Sequence, residues 1–281
     1  MDTVCFGKQW DVALVHDSDG QITAAMPYHY GSRLGLRYIL QPQLTQYNGP
    51  WFRHGTDATA AQQLASHLRR LRPLFFQQNF APGTPIDSAW DDCTVTQRPT
   101  YRIEDISNPQ QVFDNFDKQR RQRPIRRAEK KLHAVSLSPE DFARFHAAYW
   151  ASRGQRDTLS HDFMVRVIRT ALDRSQGILL GVADRDGKLH AARFVAYDSR
   201  CAYSLLSALN PEGHDNGASA LLFWLIIQQL SEHTRAFDFE GSTDPGIAYS
   251  YSLYGAQPVT YCRLTRYATP LLQPILKRKI E

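Results

Sequence analysis

Only four cysteines occur in the 281 residues, Cys5, Cys93, Cys201 and Cys262, and no two form a Cys-x-x-Cys pair. That spacing excludes a disulfide framework and a cysteine-based zinc site, so no metal is expected and a reducing compartment fits. Long apolar runs are also missing. The longest, Ala220 to Ile227, falls far short of the roughly 20 residues that cross a membrane. No transmembrane segment is therefore expected, and peripheral membrane contact stays open. The chain opens Met1-Asp2-Thr3 without a basic n-region or an apolar h-region, which points away from secretion and towards the cytoplasm. No heptad pattern is long enough for a coiled helical arm.

What is present suffices for a substantial core. Hydrophobic residues make up 42% of the chain and aromatics 11%, enough for one large domain or two modest ones. An internal repeat favours two. Asp19-Gly20-Gln21-Ile22-Thr23-Ala24-Ala25 returns as Asp186-Gly187-Lys188-Leu189-His190-Ala191-Ala192. Each Asp-Gly pair lies between apolar runs (Val12 to Val15 and Ile178 to Val182 lead in), a strong hairpin signal. After each hairpin the same order follows: strand, loop, helix, short aromatic strand. In the first copy the helix spans Ala58 to Leu71 and the strand is Leu74-Phe75-Phe76. In the second they are Gly217 to Leu230 and Phe237-Asp238-Phe239. This order reads as an old duplication.

The second copy carries more elements. A strand from Ala134 to Leu137 leads to Ser138-Pro139, a capped helix start, and Ser160 caps a second helix with Phe163, Val167 and Ala171 on one face. Three meandering strands follow from Gly177 to Leu209. The helix at Gly217, the strand at Ala236, a short helix near Ile247 and a last strand, Val259 to Arg266, complete the unit. Between the copies, Lys118 to Lys131 holds eight basic residues and one acid. Ile125, Ala128 and Leu132 are spaced to bury one helical side. The segment is either a solvated linker helix or an anion-binding ridge, with Arg123, Arg126, Arg127 and Lys130 as its candidate ligands.

Several segments, taken in order, carry a family resemblance: Ile125-Arg126-Arg127-Ala128-Glu129-Lys130, Gly217-Ala218-Ser219-Ala220-Leu221-Leu222, Phe237-Asp238-Phe239-Glu240-Gly241-Ser242 and Tyr254-Gly255-Ala256. Together they resemble the GNAT acyltransferase superfamily, and within it the tandem FemABX-like peptidyltransferases and their relatives with a BioF2-like acetyltransferase domain. The resemblance implies an α/β fold with mixed sheet, built as two tandem GNAT-like units of which the first is degenerate. The expected bounds are 1–106 for the first unit, 107–132 for a basic linker helix and 133–281 for the acyltransferase unit. Fem enzymes usually carry Phe-Lys-x-x-Phe-Gly near the end; aligning on Tyr254-Gly255 puts Tyr251 where that lysine stands, which favours acyl-CoA over aminoacyl-tRNA as donor.

By that resemblance the donor's pyrophosphate would sit at the start of the Gly217 helix, where free N–H groups and the dipole favour anions, with Asn216, Gly217, Ala218 and Ser219 as candidate ligands. Gly217 is expected to face the cleft. The same glycine-rich turn is also ordinary helix capping. Asp238 and Glu240 alternate with phenylalanines, so both are expected on one face of a strand. Asp238 is read as structural, whereas Glu240 is either a general base or a satisfied buried carboxylate. Tyr251 and Tyr254 lie on one helical side, as acids for a leaving thiolate or as core. His214 would serve as a base only if its loop folds over the site. The first copy's loop, Gln46 to Trp51, suits phosphate poorly, and Trp10 and Trp51 read as core or cleft wall.

Three functions follow from these residues. The leading one is an N-acyltransferase using acetyl-CoA or another acyl-CoA on an amine of a cell-envelope or polysaccharide precursor. The alternative is a Fem-like transferase that takes an amino acid from charged tRNA and acts on a peptidoglycan precursor. A third is a non-catalytic nucleic-acid binder acting through the basic segment, which holds no aromatic residue for base stacking. Oligomeric state is not legible.

Overall fold

A computed structural model describes residues 1–5, 9–33, 36–53, 55, 57–242 and 244–269 of the chain. It is a mixed α/β structure that divides into two compact units, one of Met1–Arg98 with the chain from Thr260 onward and one of Pro99–Val259.

In the first unit a short helix, α1 (Asp2–Cys5), precedes the hairpin of β1 (Trp10–His16) and β2 (Ile22–Arg33). Next come β3 (Leu36–Leu40), β4 (Trp51–Phe52), α2 (Ala58–Arg70) and β5 (Phe75–Phe80). β2 pairs antiparallel with β1, β3 and β4, and β3 runs parallel to β5. Asp57 caps α2 by accepting from the N–H groups of Thr59 and Ala60. The buried stripe of that helix, Ala61, Leu64 and Leu68, packs in one cluster with Ala13, Met26, Tyr28 and Phe76. Trp51 is 45% exposed, so it is not core.

The second unit takes the end of β6 (Thr94–Ile103), then α3 (Pro109–Asp114), a π-helical turn at 118–122, α4 (Arg123–Ala128) and β7 (Leu132–Ser136). Two helices follow, α5 (Pro139–Ser152) and α6 (His161–Asp173), each capped by the serine expected, Ser138 and Ser160. Then come β8 (Gly177–Asp184), β9 (Leu189–Tyr197), β10 (Cys201–Leu209), α7 (Ala218–Leu230), β11 (Ala236–Asp238), α8 (Pro245–Ser252) and the start of β12 (Gln257–Tyr267). The strand order is β7-β8-β9-β10-β11-β6. Only the β10–β11 pair is parallel. α7 is apolar nearly all round and is buried along its length, which fits a central helix rather than a surface one.

The repeat survives as geometry. In each hairpin the turn is tied by the same four hydrogen bonds. Asp17 N–H donates to the Gln21 carbonyl and Gly20 N–H to the Asp17 carbonyl, while the Asp17 carboxylate accepts from Asp19 and Gln21 N–H. Asp184 makes the matching set with Lys188, Gly187 and Asp186. Gly20 and Gly187 take φ of 76° and 82°, and each hairpin shifts register two residues before its aspartate.

The units part company with the expected boundaries at two places. The segment 107–132 belongs to the second unit, because Val112, Phe113, Phe116, Ile125 and Ala128 are buried in its core. The last strand does not stay there: from Thr260 it belongs to the first unit, where Cys262–Tyr267 pair antiparallel with Phe75–Phe80.

Gly217 also departs from its expected position. It adopts φ 82°, and a Cβ there would lie 2.8 Å from the Pro124 carbonyl oxygen, so α4 rather than an open cleft covers it. Gly187→Ala, with the same φ and open space around it, should cost about 1 kcal/mol of stability from the left-handed backbone alone. Gly217→Ala adds a collision with backbone and should cost about 2–3 kcal/mol. Urea denaturation of the two variants tests the difference.

Candidate active site

β10 and β11 pair only over Cys201–Tyr203 with Ala236–Asp238. Past Tyr203, β10 bulges and runs on with β9 alone, Leu206–Leu209 against Phe194–Ala191. β11 stops at Asp238. The ladder between the two parallel strands therefore ends at Tyr203 and Asp238, at the carboxyl end of the strands, where open α/β sheets bind ligands.

Asp238 ends the strand. Its carboxylate, fully buried, accepts from Thr100 Oγ1 at 2.5 Å and from the backbone N–H of Glu240 at 2.8 Å, with Arg102 Nε 3.8 Å away. Bonding to its own chain two residues on turns the backbone, and Glu240 takes φ 65°, the left-handed region that side-chain-bearing residues seldom occupy. Asp238 and Glu240 therefore do not alternate along one strand face, as the sequence suggested. Asp238 is the structural carboxylate expected. Burial first, and then the Asp238 charge, push the Glu240 carboxyl up to about 8.

The aromatic wall beside Glu240 comes from α8 and the turn after it. Tyr251 stacks on Phe239, with ring centres 4.6 Å apart, and Tyr254 on the same ring at 5.7 Å. Tyr254 is buried against Phe116 and Phe223 and reads as core. Tyr251 is only part-buried; burial raises its hydroxyl's pKa, and the Arg193 charge pulls it back down. The structure thus brings Glu240, Tyr251 and Tyr254 together around Phe239. The spacing argument missed Arg193 and Ser204. An arginine at the centre of a largely apolar strand, Leu189–Tyr197, was the available signal.

At the start of α7, the Ala218 N–H is satisfied by Asn216 Oδ1 at 2.9 Å. Asn216 in turn donates to His190 Nδ1 at 3.0 Å, while His190 Nε2 faces Asp184 at 3.0 Å. Pro124 lies over Gly217, and of the four candidate donor ligands Asn216, Gly217 and Ser219 are half-exposed while Ala218 is buried. The helix that covers Gly217 is the basic one. On it Ile125 and Ala128 are buried, while Arg123, Arg126, Arg127 and Lys130 are exposed. The helix start and the basic segment are thus neighbours. The π-helical turn before α4 is held to α8, where Arg121 donates to the Ser250 carbonyl at 3.0 Å and to its Oγ at 2.8 Å. The side chain of His214 lies outside the described residues. Among those residues no cluster of three metal-ligating side chains occurs, and no helix is long and apolar enough to cross a membrane.

A raised carboxyl has a direct consequence for stability. Folded Glu240 holds its proton to about pH 8, whereas the unfolded group loses it near 4.5. The stability it contributes is therefore complete below about pH 4.5 and is lost as the pH rises through about 8. Glu240→Gln removes this titration. Melting temperatures followed from pH 5 to 9 should fall more steeply for the wild type than for the variant, and parallel curves would refute the assignment.

Residues 118–249 match the family model described as an acetyltransferase (GNAT) domain. No curated protein sequence matches the chain. Solved structures do, across nearly its whole length. FemX is 12% identical, with a TM-score of 0.69 over 95% of this chain and 90% of that one. L-PGS from Bacillus licheniformis is 12% identical, with a TM-score of 0.59 over 95% and 88%. A tandem GNAT protein from the clavulanic acid biosynthesis pathway is 11% identical, with a TM-score of 0.54 over 93% and 83%. The chain thus shares the fold of these structures, and the residues that match the acetyltransferase (GNAT) model lie in its second unit.

Proposed function

We propose that the second unit is an N-acyltransferase that moves an acyl group from acyl-CoA to the amine of a cell-envelope or polysaccharide precursor. The carrying observation is the parting of β10 and β11 with Glu240 and Tyr251 at its root. A thioester arm fits between strands whose facing edges are not paired with each other. Its phosphates would lie towards Ser219 and the basic face of α4.

In this reading Glu240, ionised, takes a proton from the acceptor ammonium. The freed nitrogen attacks the thioester carbonyl, the carbon–sulfur bond breaks, the leaving thiolate takes the Tyr251 hydroxyl proton, and the second proton shed by the acylated nitrogen returns to the Tyr251 oxygen. A base whose pKa lies near the working pH suits the first step, and about 8 is close to it. Tyr254, packed into the core, is the weaker of the two candidate acids.

One observation supports a second reading. Lys118, Arg120, Arg123, Arg126, Arg127, Lys130 and Lys131 are all exposed, a surface that would also suit the phosphates of an aminoacyl-tRNA acting as donor to a peptidoglycan precursor.

Thiol release from acetyl-CoA in the presence of amine acceptors tests the first reading. The rate should climb with pH to a plateau past about 8. Glu240→Gln should lower turnover by roughly 10²–10⁴ and abolish that climb. No thiol release with any acceptor, together with amino-acid transfer from charged tRNA, would establish the second reading instead.

A further inference from the structure

Arg193 is a half-buried cation without a counter-charge among the described residues. Its backbone pairs opposite Ser207, yet its Nη1 donates to Ser204 Oγ at 2.8 Å. The side chain therefore runs back along β10 towards Tyr203, the last residue that β11 pairs. Its guanidinium lies over the Phe223 ring, 6.0 Å from the centroid. Nε is out of solvent and makes no hydrogen bond. Among the described residues no carboxylate stands within 4.0 Å of it. The Tyr251 and Tyr254 hydroxyls are close enough to influence its charge, but both are neutral donors at ordinary pH.

A guanidinium left this way is costly, because desolvation of a charge is repaid only by a partner charge with good hydrogen bonds. With Nε closed off and one Nη1 hydrogen on Ser204, the Nη1–Nη2 end remains for a planar two-oxygen partner, the geometry at which arginine outdoes lysine. The thioester end of an acyl-CoA is uncharged, and its phosphates belong at the far end of the donor. The missing anion is therefore on the acceptor.

We propose that Arg193, steadied by Ser204, receives a carboxylate of the acceptor, so that the acceptor bears its amine and a carboxylate on one molecule, as an amino acid or peptide does. This rests on the acyltransferase reading and narrows its acceptor class. Arg193 is a specificity residue, and the bond-making steps are unchanged.

Two measurements on the full chain test it. Without any thioester, acetate, glycine and glycylglycine should raise the wild-type melting temperature while methylamine does not. Arg193→Met should lose those shifts yet melt no lower than the wild type, since an unpaired, half-buried charge has been replaced by an apolar chain. Should that variant fail to fold, Arg193→Lys keeps the charge, loses the fork, and should weaken the same shifts. In the thiol-release assay, the ratio of kcat/KM for glycylglycine to that for methylamine should fall on the order of 10² in Arg193→Gln. Carboxylate shifts that persist in Arg193→Met would overturn the proposal, as would no shift in the wild type, or stabilisation by inorganic phosphate but by no carboxylate. An absence of thiol release would sink the acyltransferase reading alone, because the melting measurement still reports whether Arg193 holds a carboxylate.

Discussion

A carboxylate with no exposed surface decides where β11 ends. Asp238 cannot be left bare in the core, and the groups that satisfy it are Thr100, Arg102 at longer range, and the N–H of Glu240. Recruiting the chain's own N–H two residues on forces Glu240 into a left-handed conformation, and no ladder can continue through it. The parallel pair with β10 therefore stops at Tyr203. Everything assigned to the site lies around that stop: the bulge at Ser204, the Arg193 side chain that reaches it, the Glu240 carboxyl and the Tyr251 ring on Phe239. Removing the Asp238 carboxylate would affect all of these before it affected any chemistry directly.

The first unit shows what the same architecture becomes without that device. β3 and β5 are also parallel and also pair briefly, over Tyr38–Ile39 with Phe75–Phe76. There β5 goes on with Gln78 and Asn79, both buried, and Asn79 binds the loop that in the second unit leads into α7. Its carbonyl accepts from Asn48 N–H at 2.8 Å, its N–H donates to Gln41 Oε1 at 2.9 Å, and its Nδ2 donates to the Gln46 carbonyl at 3.2 Å. Gly49 packs so closely on Phe80 that a Cβ would come within 2.9 Å. The loop is thus bonded directly to β5. The two copies share their hairpin turns bond for bond, so divergence lies in how one polar residue after the short aromatic strand is satisfied: by a loop in the first, by the strand's own continuation in the second.

Much of this was legible in the sequence, and the limits have physical causes. Local signals transferred well: Ser138 and Ser160 cap the helices they were assigned, the Asp-Gly turns form, and Ile125 and Ala128 are the buried side of the basic helix. Local periodicity could not anticipate that the Glu240 backbone leaves the extended region, because the cause is a hydrogen bond to a carboxylate fixed by Thr100, a residue 138 positions away. Nor could a glycine before a helix reveal what faces it; Gly217 looked like room for a phosphate and proves to be room for the Pro124 carbonyl. The last strand read as β12 correctly, but its partner, β5, is set by long-range pairing that no window of sequence contains.

Glu240 and Arg193 make the same physical argument from opposite sides. Each is an ionisable group held where the surrounding atoms do not pay for its charge. Glu240 responds by keeping its proton to about pH 8, which a carboxyl can do. Arg193 has no such recourse: burial lowers its affinity for the proton, but a guanidinium starts so high that it stays charged at any pH the fold survives. A carboxyl that can shed its proton within the working range suits a group that must exchange one. A permanent charge suits a group that must only be met. In the proposed reaction the two groups would divide the demands of an acceptor that brings both an ammonium and an anion, each charge being met only when such a molecule is bound.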